Sequence, residues 1–459
     1  MDNEIFSIHN SHLGGKLASE DPHLKRLSQQ KYQFYSSLLD EFPKTIPGIY
    51  SLSGGRQVGK TTLLKQWMLQ LTQNAPPQNI YFLTGELIPD HTALIAWVKE
   101  FLASIPKPAS LSFLIIDEIT YIKDWDMGLK YLADAGYLEN LVLMISGSDL
   151  EWIKDARMRF PGRRGMAENV DFHLFPLNFA ELTQLKFGKK NPTLDDLYLL
   201  LQNYLLHGGF MSAINEFQKQ GRISSATLNT YSDWVRGDML KRGKQEAYLR
   251  EIVIGISKRM GTPITWNNIA KDLSIDHPKT VADYVHHLQA MDVLYEQQAL
   301  IEDKLVAAPK TARKVIFTDP FIFHALQHWL EPSADFFETK MRTLVQNSVS
   351  ASQLIEGLAV SLLRRYLPTY YIKAEGEVDV AVVIGRKFWP IEIKWTEQIR
   401  SKDLKQIAKY KNAQIWAHTQ SSHQLMEKIP TIPLPQILLS LSSKRQTEEA
   451  IQSGFRIDV

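Results

Sequence analysis

Residues 49–67, IYSLSGGRQVGKTTLLKQW, constrain this chain more than any other stretch. A short apolar strand leads into a glycine-containing loop and then into an amphipathic helix opening at Lys60. Gly54, Gly59, Lys60 and Thr61 satisfy the spacing G-x-x-x-x-G-K-[ST]. Glycines let the backbone wrap closely round a phosphate, so that successive N–H groups and the helix N-terminus face its negative charge. On this reading Gly54, Gly55, Arg56, Gln57, Val58 and Gly59 form the cradle, with Thr62 completing the loop-to-helix turn. Lys60 reaches the β- and γ-phosphates, and the Thr61 hydroxyl ligates Mg2+. The expected ligand is ATP with Mg2+.

A second segment, LSFLIIDEITYI at residues 111–122, reads as a fully buried parallel strand whose end presents Asp117 and Glu118. A helix cap explains one acid but not two. Asp117 is placed to hold Mg2+ through water, and Glu118 to orient or polarise an attacking water. The next buried strand, LVLMISGSD, carries Ser146 and Ser148 at its polar end.

With 459 residues the chain exceeds the size of a single core, and three or four domains are expected. Its apolar fraction of 44% and charged fraction of 22% are those of an ordinary globular protein. A formal charge of +2 means that nucleic acid would have to be met by local basic patches. The absence of cysteine excludes disulfides, thiolate zinc sites and cysteine nucleophiles. Neither a signal-like N-terminus nor a membrane-length apolar run is present, so the chain reads as soluble, cytoplasmic and without a membrane partner.

Residues 191–245 have a helical pattern broken at Gly208 and Gly209, compatible with a small lid. The following text holds two short amphipathic helices and strand-like residues ending in RKVIFTD. Thr265 caps the first helix, and Val281, Val285, Leu288 and Met291 give the second an apolar stripe. This is a helix-turn-helix with a wing, serving either non-specific DNA contact or protein packing. Lys279 on its second helix, and Lys241, Arg242, Lys244, Arg250, Lys258, Arg259, Lys310, Arg313 and Lys314 nearby, are the candidate phosphate contacts.

Three further pieces align towards the C-terminus. ASQLIEGLAVSLLRRYL is an amphipathic helix with Glu356 near its start, GEVDVAVVI is a strand with Asp379, and FWPIEIKW is a strand placing Glu392 and Lys394 on one face. Carboxylates holding a metal, with a lysine orienting a nucleophile, are the chemistry of metal-assisted phosphodiester cleavage. Downstream, Gln406 and Tyr410 are expected at i and i+4 on one helix face.

In this order the front half resembles an AAA+ ATPase. The resemblance implies that Ser146, or alternatively Ser148, senses the γ-phosphate. It also implies that Arg163 or Arg164, after the Pro-Gly turn in RFPGRRG, reaches a neighbouring subunit's nucleotide, so that the active form is a homo-oligomer, a hexameric ring. The C-terminal pieces resemble the PD-(D/E)XK nuclease fold, with Glu356, Asp379 and Glu392 on Mg2+ or Mn2+, Asp379, Glu392 and Lys394 catalytic, and a Q-x-x-x-Y element. Nearly the whole chain resembles prokaryotic AAA+ ATPases that end in such a nuclease-like domain of unassigned function.

The expected fold class is α/β. Its parts are an N-terminal helical arm (1–45), an AAA+ P-loop core (46–190), a helical lid (191–245), a winged helix (246–320), a helical linker (321–345), a nuclease-like domain (346–441) and a tail (442–459). The expected function is ATP-driven DNA strand or junction remodelling, such as branch migration at a Holliday junction, with Mg2+-dependent cleavage. The alternative is a nucleotide-controlled switch or defence sensor with a catalytically silent partner-binding domain.

Overall fold

The computed structural model describes residues 4–106, 110–148, 160, 162–273, 275, 277–396, 399, 404–420, 424–426 and 428–454. The chain divides into two compact units, Met1–Phe175 and Pro176–Val459. Among the described residues no helix is long and apolar enough to cross a membrane.

The first unit is built on five parallel strands: β1 (Gly48–Ser53), β2 (Ile80–Thr84), β3 (Ser112–Asp117), β4 (Leu141–Gly147) and β5 (Asp171–His173). Their order is β2-β3-β4-β1-β5. Every residue of β1, β3 and β4 is buried, which is why their sequences are continuous apolar runs without alternation. Leu63, Leu64, Trp67 and Met68 of the helix Lys60–Leu71 cover one face of the sheet. Leu94, Val98, Phe101, Leu129 and Leu132 cover the other. Parallel packing brings the carboxyl ends of β1, β3 and β4 together, the place where such sheets bind ligands.

The expected separate arm is instead part of this core. Phe6 is fully buried in it. The Asn10 side chain accepts from Phe82 N at 2.8 Å and donates to Phe82 O at 2.9 Å. Lys65, on the same helix as Lys60, pairs with Asp21 at 3.0 Å, both side chains 0% exposed. Its ammonium also lies 3.6 Å from the Phe82 ring centroid.

The second unit opens with helices Phe179–Phe187, Leu194–His207, Met211–Gln220 and Ser225–Lys241, the first two closed by capping boxes at Asn178/Glu181 and Thr193/Asp196. Gly208 is left-handed, with φ 56°, and a Cβ there would fall 1.8 Å from Asp319 Oδ1. Asp319 caps the helix Pro320–Leu330 through Phe321 N and also accepts from Gly209 N, both at 2.8 Å. The Gly-Gly pair therefore lets the backbone close on a buried carboxylate.

Helices Glu246–Ser257, Trp266–Asp272 and Pro278–Ala290 follow, and Thr265 accepts from Asn268 N as expected. Strands β6 (Leu294–Gln298) and β9 (Arg313–Phe317) pair antiparallel, with a small hairpin, β7 (Leu300–Ile301) and β8 (Val306–Ala307), between them.

After the helix Ser348–Leu363 comes a six-stranded mixed sheet. Its strands are β10 (Thr369–Lys373), β11 (Glu377–Ile384), β12 (Lys387–Lys394), β13 (Gln414–Ala417), β14 (Gln424–Met426) and β15 (Ile429–Pro433), in the order β10-β11-β12-β13-β15-β14. β11 pairs antiparallel with both β10 and β12, β12, β13 and β15 run parallel, and β14 pairs antiparallel with β15.

Three expectations fail in this region. Glu356 stands in the middle of its helix, not near the start. Around Gln406 and Tyr410 only a 3-10 turn, Ile407–Lys409, forms, and Tyr410 is extended at φ −106°. Docking of Leu404 and Ile407 into the sheet's apolar cluster takes precedence over a helix there. The supposed tail contains a capped helix, Lys444–Gln452, whose Ile451 is fully buried and whose carbonyl accepts from Gln414 Nε2.

Candidate functional site

The loop at the end of β1 places Lys60 as its spacing demands. The Lys60 side chain is 4% exposed, and its ammonium donates to the carbonyls of Gly54 and Gly55 at 2.9 and 3.2 Å and lies 3.7 Å from Glu118 Oε1. Gly54, at φ 150°, has no room for a side chain, because a Cβ would come 2.4 Å from Leu174 O. Gln57 is left-handed too, with φ 61°.

Thr61 Oγ1 donates to Asp117 Oδ2 at 2.6 Å, so the two residues expected at Mg2+ are already in contact. A hydroxyl and a carboxylate are the hard oxygen donors that ion takes. Glu118 sits in the left-handed region, φ 52°. For a residue with a Cβ this costs about 1–3 kcal/mol and persists only where neighbours impose it. Here Ser146 imposes it, accepting from Glu118 N at 3.0 Å while its single hydroxyl proton goes to Asp117 Oδ1. Burial pushes the Glu118 carboxyl up, against the pull of Lys60.

Ser146, 1% exposed, thus spends its hydroxyl proton on Asp117 and organises the acid pair. Ser148 Oγ lies 3.5 Å from Glu118 Oε2. Arg56, expected only as part of the cradle, also donates to Tyr121 Oη at 3.0 Å.

The two arginines separate. Arg164 Nη2 donates to Asp171 Oδ1 at 2.5 Å and Val170 O at 3.0 Å, and its Nε donates to Ile49 O at 3.3 Å. It fastens β5 to β1, and a guanidinium so used does not reach outward. Arg163 pairs with the half-exposed Asp134 on the surface of the same unit. Pro161 and residues 151–159 lie outside the described residues.

In the second unit Glu356, Asp379, Glu392 and Lys394 do converge, and two more residues join them: Glu377, from the strand of Asp379, and Lys314, which sequence reasoning placed elsewhere. Lys314 from β9, expected at DNA phosphate, is 0% exposed, 2.7 Å from Glu356 Oε1 and 2.6 Å from Glu377 Oε1. Burial opposes its charge, and the Glu356, Asp379 and Glu377 carboxylates overcome that, raising its pKa. Lys394 holds Glu392 Oε1 at 2.6 Å, and Asp379 Oδ2 accepts from Ile393 N at 2.9 Å. Burial pushes both Glu356 and Glu392 up, with Asp379 adding to each. The Mg2+ or Mn2+ that the nuclease resemblance implies does not fit this set. Among the described residues no group of three or more acidic or histidine side chains is placed to hold a metal ion.

Gln406 and Tyr410 still meet through a side-chain hydrogen bond, although no helix carries them. Tyr410 is pushed up to about 12, chiefly by burial and then by Glu302, to which it donates at 3.0 Å.

Comparison with known proteins bears on residues 47–183, most of which lie in the first unit. The model of the AAA domain matches residues 47–183. This region is similar to AAA domains. Its P-loop, acid pair and parallel sheet are those of a P-loop ATPase. Residues 198–333 match a domain of unknown function, DUF8612. A search of curated proteins returned no match.

Among solved structures, a Walker-type ATPase of Pyrococcus abyssi is similar over 63% of this chain and 92% of its own, at 14% identity and a TM-score of 0.40. The ORC1 protein of Aeropyrum pernix in complex with DNA is similar over 70% and 94%, at 12% identity and 0.29. A RuvB variant of Thermotoga maritima is similar over 55% and 82%, at 17% identity and 0.26. These likenesses are loose, and the AAA assignment stands on the family match and the P-loop geometry.

Proposed function

We propose that the protein is an Mg-ATP-hydrolysing machine that acts as an oligomer on DNA, using nucleotide turnover to remodel strands or junctions. The observation that carries this reading is the assembled P-loop: Lys60 between loop carbonyls and Glu118, with Thr61 on Asp117. Bound at Thr61 and Asp117, Mg2+ would neutralise charge on the β- and γ-phosphates. Lys60 exchanges its loop carbonyls for phosphate oxygens, gaining a charge-assisted partner for neutral ones. Glu118, held by Ser146 and raised by burial, orients the attacking water and accepts its proton. Arg163 is the finger candidate, acting on a neighbouring copy once it leaves Asp134.

DNA contact in this proposal is non-specific and carried by the exposed Lys258, Lys279 and Lys310 around a winged helix at residues 246–320. Lys244, Arg259 and Arg313 are less suited, being paired with Asp283, Asp272 and Glu296. That internal pairing also favours the second reading, a nucleotide-controlled switch with a silent C-terminal domain. Cleavage is the weakest component, because the carboxylates it needs are neutralised within the chain.

ATP turnover measured with and without duplex, forked and four-way-junction DNA across a salt series tests the proposal. Stimulation that falls steeply with salt is expected. Turnover indifferent to every DNA would replace the first reading with the switch.

A further inference from the structure

Four carboxylates converge in the second unit, those of Glu356, Glu377, Asp379 and Glu392, and the chain answers them with two ammoniums, Lys314 and Lys394. Lys394 comes from the strand that carries Glu392. Lys314 comes from outside the sheet, on β9, and takes the central place. Its Nζ is 2.7 Å from Glu356 Oε1, 2.6 Å from Glu377 Oε1 and 3.9 Å from Asp379 Oδ1.

Strand β9 cannot easily withdraw. Its partner β6 supplies Gln297, 0% exposed, whose Nε2 donates to the carbonyls of Tyr370 and Asp379 at 2.9 and 3.1 Å. Tyr371 Oη donates to Ala312 O, two residues before Lys314, at 2.5 Å. The backbone is thus pinned to β10 and β11 on both sides of the ammonium. Glu392, only 6% exposed, keeps Oε2 without a hydrogen-bond partner among the described residues. Lys394 meets this carboxylate at Oε1 alone, and Lys314 is the ammonium that the other three share.

We propose that Lys314 occupies the place of a divalent cation in this cluster. A second cation beside it would be repelled at short range in a medium of low dielectric. Removing the ammonium leaves the partly buried Glu356 and Asp379 and the more exposed Glu377 without their shared cation, and their charge must be matched by something else. The same lysine ties the β6–β9 ribbon to the six-stranded sheet, so the cluster works as a joint and binds no metal while Lys314 is seated.

Electron paramagnetic resonance titration of the full chain with Mn2+, without nucleotide, tests this. Wild type should bind no Mn2+ that Asp379→Asn removes. Lys314→Met, which keeps the length and loses the charge, should gain one Mn2+ per chain, at least tenfold tighter than any binding by wild type. That gain should vanish in the Lys314→Met, Asp379→Asn double variant. A folded Lys314→Met that gains nothing would overturn the proposal, as would a wild-type site lost with Asp379→Asn. Should Lys314→Met fail to fold by circular dichroism, the comparison of wild type with Asp379→Asn decides alone: absence of an Asp379-dependent site supports the proposal, and its presence refutes it.

Discussion

Lys60 and Lys314 are both buried lysines, yet their partners give them opposite uses. Lys60 rests on two neutral carbonyls, with one carboxylate at 3.7 Å, so its charge is incompletely matched and open to an incoming anion. Lys314 has two carboxylates at 2.6 and 2.7 Å and a third at 3.9 Å. It has nothing left to offer a ligand. Burial alone does not separate a catalytic lysine from a structural one; the charge of what surrounds it does.

The largest test of this contrast is Lys314→Met. Breaking a buried pair from one side costs about 3–5 kcal/mol, visible as faster hydrogen exchange in β13 at the centre of the sheet. ATP turnover without DNA should persist; its loss together with an unchanged sheet would erase the contrast.

Lys60→Ala should do the reverse, lowering turnover by roughly 100-fold or more, about 2.7 kcal/mol, while thermal unfolding stays close to wild type. Glu118→Gln belongs beside it, with turnover down by about 10²-fold or more and nucleotide still retained on a filter. Release of nucleotide by that variant would make Glu118 a structural acid.

Gly208→Ala is smaller, at about 1–3 kcal/mol of overpacking against Asp319, read as a lower denaturation midpoint of the second unit. The smallest effect is a slope. Burial raises Asp319 to about 6, against about 4 for an unfolded aspartate. Between these values the native state holds a proton that the unfolded chain lacks. The Asp319 contribution to stability therefore falls as pH rises through that window and is level above it. Denaturation of wild type and Asp319→Asn at pH 4.5 and 7 should show the variant gaining relative to wild type at the higher pH.

What could be read in advance followed from how strictly local geometry constrains residue type. A phosphate cradle demands glycines, a lysine and a hydroxyl at fixed spacing, so the P-loop was legible, and buried parallel strands ending in acids were nearly so. Arg163 and Arg164 were not separable, because adjacent residues leave the backbone in different directions and only the position of Asp171 shows which turns inward. Lys314 was misplaced for a related reason. In β9 the residues Lys314, Val315, Ile316 and Phe317 are all buried, so no alternation marks which phase faces the carboxylates. The Gln406–Tyr410 contact was anticipated through the wrong element, since a 3-10 turn brings the pair together as a helix would have.

The clasp between the N-terminal residues and the P-loop helix bears on how the first unit can be cut out and handled. Fragments starting at residue 46, the expected start of the core, would strip Asp21 from Lys65 and Asn10 from Phe82. That leaves a bare ammonium one and a half turns from Lys60 and an unpaired edge beside β2. The shortest fragment fit for nucleotide-binding work begins ahead of Phe6, and a purification tag belongs at its other end.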